Sequence, residues 1–243
     1  MDIIEAMRAR HAVRDYTDQP IDETTLAALR GTVAQVNTAG RLDVQLVHDD
    51  ADAFGGCPTH YGRFKNVRYC LALIGRDDGD DLDERVGYYG ERLALEAVRL
   101  GLDTSWVVLH ETAEHDGRWT IGDGERMPAA IALGYGARPG RPHRSKPVEE
   151  LGAVEHTTGD GHGTDDGSNG DGLADAPEWF IRGLEAVQLA PSALGKQPFR
   201  FTLCDDSRTV RAEALDGVQA EIGLGIAKLH FELGAGTDRF TWT

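Results

Sequence analysis

With 243 residues, 40% apolar and 27% charged, the chain can bury one large core or two small interlocked lobes, and its make-up is that of an ordinary globular protein. A formal charge of −16 excludes a general nucleic-acid binder, which needs a basic surface to displace counterions. No apolar run approaches the roughly 18 to 20 residues that span a bilayer, and the odd, widely spaced Cys57, Cys70 and Cys204 fit neither a disulfide framework nor a zinc site.

The first residues alternate apolar and charged and lack the continuous apolar core of a signal peptide, so a cytoplasmic location is expected. Ile3, Ile4 and Met7 stand at helical spacing and predict a short opening helix over 1–10. Asp22 and Glu23 ahead of Thr25 and Leu26 read as a capped helix start. Alternation over 42–47 and an almost wholly apolar run over 69–74 predict two strands, the second buried. A strong helical pattern over 87–102 ends at Gly101, a natural terminator, and strands are expected at 106–109 and 129–133.

Over 152–176 Gly, Asp, Thr and Ser dominate, with too few apolar residues to offset the entropy of ordering, which predicts a linker. A helix over 177–189, a strand over 199–204 and a helix over 221–233 follow. The expected organisation is therefore a first half (1–151), the linker (152–176) and a shorter second half (177–243). The second half echoes the first: Gly90 and Gly101 bracket an interval equal to that between Gly223 and Gly234. Arg30-Gly31 with Ala34 parallels Arg182-Gly183 with Ala186, and Trp106 and Trp242 each follow a long helix. Together these matches point to a degenerate internal duplication.

Three stretches could carry chemistry. Arg10-His11-Ala12-Val13-Arg14 gathers guanidinium groups suited to bidentate phosphate binding, against the alternative of a solvated basic helix end. A second basic group, Arg138, Arg141, Arg144 and Lys146, occupies a Pro/Gly-rich loop and could serve an anion or a salt-bridged surface. Ala190-Pro191-Ser192-Ala193-Leu194-Gly195-Lys196-Gln197-Pro198-Phe199 leaves a helix through small residues that let backbone approach a ligand; Ser192 and Gln197 could hydrogen-bond a heterocycle, or the stretch could be a plain connector. His110-Glu111-Thr112-Ala113-Glu114-His115 spaces its histidines one residue too widely for the zinc-protease motif, and no metal site is expected.

These stretches resemble the nitroreductase family. Arg10 to Tyr16 is similar to its N-terminal Arg-Arg-Ser-Val/Ile-Arg-x-Phe motif, and Ala190 to Phe199 to its Ala-Pro-Ser-x-x-Asn-x-Gln-Pro-Trp motif. Residues 90–106 resemble its central helix and following strand. Leu133-Gly134-Tyr135-Gly136, with Arg144 to Leu151, resembles its Gly-Tyr-Pro element and basic tail. Ala12, His11, Gly195 and Phe199 stand where the family has serine, arginine, asparagine and tryptophan. The Pro-Ser motif also falls in the second half rather than shortly after the arginines.

The resemblance implies an α+β fold, a mixed and mainly antiparallel sheet flanked by helices, with both halves of a normally dimeric protein fused in one chain. That fusion would explain the displaced motif, because in the family one subunit supplies the arginines and the other the Pro-Ser segment. It implies FMN as cofactor, NAD(P)H as electron donor, a small electron-poor substrate, and a monomer carrying one flavin. Arg10, His11, Ala12, Arg14, Arg144 and Lys146 would hold the phosphate and ribityl chain, Pro191, Ser192, Ala193 and Gln197 would line the ring or ribityl chain, and Val107 and Val108 would face the ring through their backbone. It assigns no side chain as catalytic acid. A non-catalytic flavin-binding or ligand-sensing protein of the same fold is the alternative, and a flavin-free interaction module the third reading.

Overall fold

The computed structural model describes residues 1–79, 81–113, 118–142, 144–155 and 173–243. They form two compact units, Met1–His143 and Arg144–Thr243. None of the helices among the described residues is long and apolar enough to cross a membrane.

The first unit opens with α1 (Ile3–Ala9), started by a capping box in which Asp2 and Glu5 each accept the other's backbone N–H at 2.8 Å. Helix α2 (Glu23–Gly40) is capped by Asp22, which accepts from the Thr25 N–H. Its exit is pinned by Asn37, whose side-chain amide accepts from the Val44 N–H at 2.8 Å and donates to the Val44 carbonyl at 3.1 Å. Then come β1 (Gln45–Val47), β2 (Tyr69–Arg76), α3 (Leu82–Arg99), β3 (Asp103–Val107) and β4 (Glu125–Gly134). The strands pair antiparallel in the order β1-β2-β4-β3.

Strand β2 is buried along nearly its whole length because both faces of this sheet are covered. On one face, α3 approaches closely at Gly90, where a Cβ would fall 2.5 Å from the Trp106 ring and 2.8 Å from Leu73. The other face carries Cys70, Ala72, Ile74, Ala130 and Ala132, packed with Val13, Tyr16, Phe54 and Trp119. This alternation along β2 is the period-two rule of a pleated strand.

The second unit contains α4 (Val148–Leu151), β5 (Gly152–Val154), α5 (Glu178–Val187), a 3₁₀ turn (Ala193–Gly195), β6 (Phe199–Leu203), β7 (Thr209–Ala214), α6 (Ala220–Ala235) and β8 (Thr241–Trp242). Its sheet runs β5-β6-β7-β8; β6 and β7 are antiparallel, and the outer strands pair parallel to their neighbours. An aromatic core fills the space beneath α5 and α6. Phe201 and Phe231 stack at 5.0 Å, Phe180 lies edge-on to Phe231 at 5.6 Å, and Phe240 and Trp242 close the cluster. The two helices meet through glycines: a Cβ at Gly183 would lie 2.5 Å from the Phe231 ring, and one at Gly234 2.5 Å from the Arg182 carbonyl.

The fold class is the α+β arrangement expected, with the mainly antiparallel pairing divided between two four-stranded sheets. Three details differ from the sequence reading. Residues 144–151, placed with the first half, pack in the second unit, because the Lys146 N–H and carbonyl are satisfied by Gln197 and Gln188. Gly152–Val154, read as the start of the linker, pair with Phe201–Leu203; most of the expected linker (156–172), with its His156 and His162, lies outside the described residues.

The third concerns the glycine matches. Gly101 (φ +86°) follows α3, whereas Gly234 lies inside α6, which ends at Gly236 (φ +87°). Gly31 faces open space while Gly183 abuts Phe231. What the two units do share is an order of elements, helix–strand–strand–helix, as α2-β1-β2-α3 and α5-β6-β7-α6, with the middle strands antiparallel in each.

Candidate functional site

In the first unit the arginine motif runs as an extended segment held from both sides. The Val13 N–H donates to Thr104 of β3 at 3.0 Å, the Lys65 N–H to the Arg14 carbonyl at 2.9 Å, and the Thr17 N–H to Tyr135 at 2.8 Å. The buried Tyr16 hydroxyl reaches the Val13 and Ala132 carbonyls, at 2.7 and 3.2 Å. Burial, with Asp103 nearby and Arg14 opposing, drives the Tyr16 phenol far above its ordinary range, so it serves as a neutral donor that locks this segment.

The two arginines of the motif diverge. Arg10 ends α1 with its side chain only 4% exposed, and its Nε lies 3.6 Å from the Glu91 carboxylate. Glu91, wholly buried on α3, also accepts from the Trp106 indole N–H at 2.7 Å. Burial lowers the Arg10 guanidinium below its ordinary value while Glu91 opposes the shift. Arg10, expected to hold phosphate, is therefore engaged inward. Sequence reasoning passed over Glu91, although it stands three residues before Ala94 and seven before Val98, on the apolar stripe of α3.

Arg14 is positioned differently. Its guanidinium lies 5.7 Å from the centre of the Phe64 ring, and at Gly62 (φ +85°) a Cβ would come 3.0 Å from its Nε. That Nε is buried without a hydrogen-bond partner, and among the described residues no carboxylate pairs with Arg14. By contrast Arg138, from the second basic group, is matched by Asp15 at 2.7 Å. The neighbouring Tyr61 hydroxyl is raised by burial, an effect Arg14 opposes.

His11 Nδ1 lies 2.7 Å from the Ala9 carbonyl, which can only accept, so this nitrogen carries the proton. The Ala12 backbone is covered by Gly140, where a Cβ would sit 3.1 Å from the Ala12 carbonyl oxygen. Val107 is buried at the end of β3, and the Val108 carbonyl accepts from the His60 N–H at 2.9 Å.

In the second unit the Pro-Ser connector is a strained loop: Leu194, Gly195 and Gln197 all have positive φ (55°, 66° and 45°). Gln197 holds it. Only 2% exposed, its amide accepts from the Lys146 N–H at 2.8 Å and donates toward the Val187, Gln188 and Ala190 carbonyls at 3.1–3.3 Å. Its amide thus bonds backbone from both ends, and Gln197, expected against a heterocycle, braces the loop. Ser192 Oγ accepts from the Gln197 N–H at 2.8 Å, an arrangement that leaves its own proton to donate. Pro191 and Ala193 flank it, half-exposed. The Arg144 and Lys146 side chains form no ion pair among the described residues.

The first unit thus offers the unpartnered Arg14 Nε, and the second, by itself, the Ser192 hydroxyl and the Arg144 and Lys146 side chains, donors of the kind that suit phosphate and hydroxyl groups. The class is an α+β protein with candidate anion-binding donors in each unit, and comparison with known proteins gives it a family. The family model described as "Putative TM nitroreductase" matches residues 2–162 and 169–235, and the chain belongs to that nitroreductase family, an oxidoreductase family.

Among solved structures, a Thermotoga maritima protein described as a "putative nitroreductase" is 19% identical; the match covers 96% of this chain and 83% of that one, with a TM-score of 0.58. A "Putative NADH dehydrogenase/NAD(P)H nitroreductase" of Parabacteroides distasonis is 19% identical over 64% of this chain and 97% of its own, TM-score 0.50. A Bacteroides thetaiotaomicron protein of the same description is 14% identical over 61% and 95%, TM-score 0.50. At these identities the likeness speaks for the fold. No curated protein sequence matches the chain.

Proposed function

We propose that the protein is an FMN-dependent oxidoreductase that transfers reducing equivalents from NAD(P)H to an electron-poor small molecule. The observation that carries this reading is Arg14: a guanidinium presented by a segment pinned on both sides, its Nε buried without a hydrogen bond and, unlike that of Arg10, Arg68 or Arg85, with no carboxylate paired to it among the described residues. In a chain of net charge −16, where most arginines face carboxylates, a cation left unpaired at this depth suits an anionic group. The family membership supplies the class of chemistry.

Bound flavin would accept hydride from the nicotinamide and release it to the substrate. The protein's part is binding and orientation. In the first unit Arg14 would meet the phosphate, with the His11–Ala12 backbone beside it and the Val107–Val108 backbone toward the ring. In the second, Ser192, Pro191 and Ala193 would present one hydroxyl and small surfaces, and Arg144 and Lys146 would add positive charge. Arg10, beside Glu91, and Gln197, bonded to backbone, would serve by positioning these segments. A monomer with one FMN per chain is proposed, as a fusion of both halves would give.

Purified full-length chain, supplemented with FMN and desalted, should retain flavin absorbance at one equivalent per chain and lose it anaerobically on addition of NADH or NADPH. Failure to retain FMN would refute the proposal. Retained flavin that neither nicotinamide bleaches would instead favour a ligand-sensing protein, a reading that the inward engagement of Arg10 and Gln197 keeps in view.

A further inference from the structure

Away from these residues, in the first unit, segment 58–60 lies antiparallel to 108–110. The His60 N–H donates to the Val108 carbonyl and the His110 N–H to the Pro58 carbonyl, both at 2.9 Å, with Thr59 and Leu109 bridged between them. Alternation on this short ladder places His60 and His110 on one face, opposite the buried Leu109. Both histidines are exposed, and His60 Nδ1 lies 2.9 Å from His110 Nε2, with ring centroids 5.0 Å apart. Thr59 Oγ1 bonds the Gly62 carbonyl at 3.0 Å, and Tyr61 packs edge-on against His60 at 5.6 Å, so the segment bearing His60 is locally ordered.

We propose that His60 and His110 form a two-imidazole site for a late first-row divalent cation, Ni²⁺ or Cu²⁺, with water completing the coordination. Neutral imidazole is a preferred ligand for these ions. With metal–nitrogen bonds of about 2.0–2.1 Å, two nitrogens at a right angle lie about 2.9 Å apart, and at a tetrahedral angle about 3.3 Å. The 2.9 Å contact is a hydrogen bond between the two rings, so the cation would take the place of the proton they share, and Ni²⁺ and Cu²⁺ are favoured because affinity for nitrogen ligands rises toward them along the divalent series. Two rings already in contact, on segments tied together by backbone bonds, lose little freedom on binding. No group of three or more His, Cys, Asp or Glu able to hold a metal occurs among the described residues, so the site is an open one, with coordination positions left to water or an incoming ligand.

Tag-free full-length chain titrated with NiCl₂ and with CuCl₂ by calorimetry should show a site whose affinity falls at least about tenfold in His60→Asn and in His110→Asn, because each removes the chelate. His48→Asn should leave it unchanged. The Cu²⁺ form of the unaltered protein should show electron-paramagnetic couplings from two imidazole nitrogens. Single variants that bind as tightly as the parent, or a spectrum with fewer than two imidazole nitrogens, would overturn the proposal. The spectrum settles the matter even if a variant fails to fold, and neither readout depends on flavin.

Discussion

Replacing Glu91 by leucine removes the carboxylate that, among the described residues, pairs with the buried Arg10 guanidinium and accepts from the Trp106 indole. With the two side chains only 4% and 0% exposed, solvent cannot substitute for what is lost. Breaking a buried ion pair from one side costs about 3–5 kcal/mol, and leaving a buried N–H unsatisfied about 1–3 kcal/mol. Glu91→Leu should therefore destabilise the first unit by about 4–8 kcal/mol, a large part of the roughly 5–15 kcal/mol typical of a folded domain. Glu91→Gln keeps an acceptor for the indole and loses only the charge, so about 3–5 kcal/mol is expected. The double variant Arg10→Met/Glu91→Leu removes both charges and should recover all but the indole's share, about 1–3 kcal/mol. Urea unfolding followed by circular dichroism and tryptophan fluorescence measures all three. A double variant no more stable than Glu91→Leu alone, or a single variant costing under about 1 kcal/mol, would show that Arg10 is not held by Glu91.

Arg14→Ala should weaken FMN binding by about 1.5–3 kcal/mol, the worth of a charge-assisted hydrogen bond, read from flavin fluorescence titration; unchanged affinity would mean that Arg14 does not meet the phosphate. Gln197→Leu strands the Lys146 N–H and frees the strained connector, so a loss of about 1–3 kcal/mol is expected, with faster amide exchange over 190–198. Hydrogen bonds from the Thr209 hydroxyl and the Thr209 and Arg208 N–H groups hold the Asp206 carboxyl below its ordinary value. Its contribution to stability is thus complete above about pH 4 and lost as pH falls through the depressed folded value. Asp206→Asn should make thermal stability fall less steeply below about pH 4, and an acid limb as steep as the parent's would refute the assignment.

Much of the scaffold was legible where burial and periodicity agree. The apolar run at 69–74 became β2, the helical stripe after Gly87 became α3, and the stretch around Ile226 became α6. The outer strands of the second sheet were not. Strand β7 buries only Val210, β8 is two residues long, and β5 begins a glycine-rich stretch; each exists because a neighbour supplies hydrogen bonds, which no local pattern records. The same holds for the candidate site. The motif marked Arg10 and Arg14 as equals, and nothing near them says that a glutamate eighty-one residues from Arg10 takes one and leaves the other.

The sequence by itself determined the class: an acidic α+β chain, a basic segment after a short helix, and a Pro-Ser connector late in the chain, whose order and spacing resemble one family. Such features are set by residue type and local period, so they can be read without coordinates. The tertiary structure decided which polar groups remain available. It turned Arg10 toward Glu91, spent the Gln197 amide on backbone, left the Arg14 Nε unpartnered, and brought His60 against His110. Desolvation and hydrogen-bond satisfaction depend on atoms far apart in sequence, and only packing brings those atoms together.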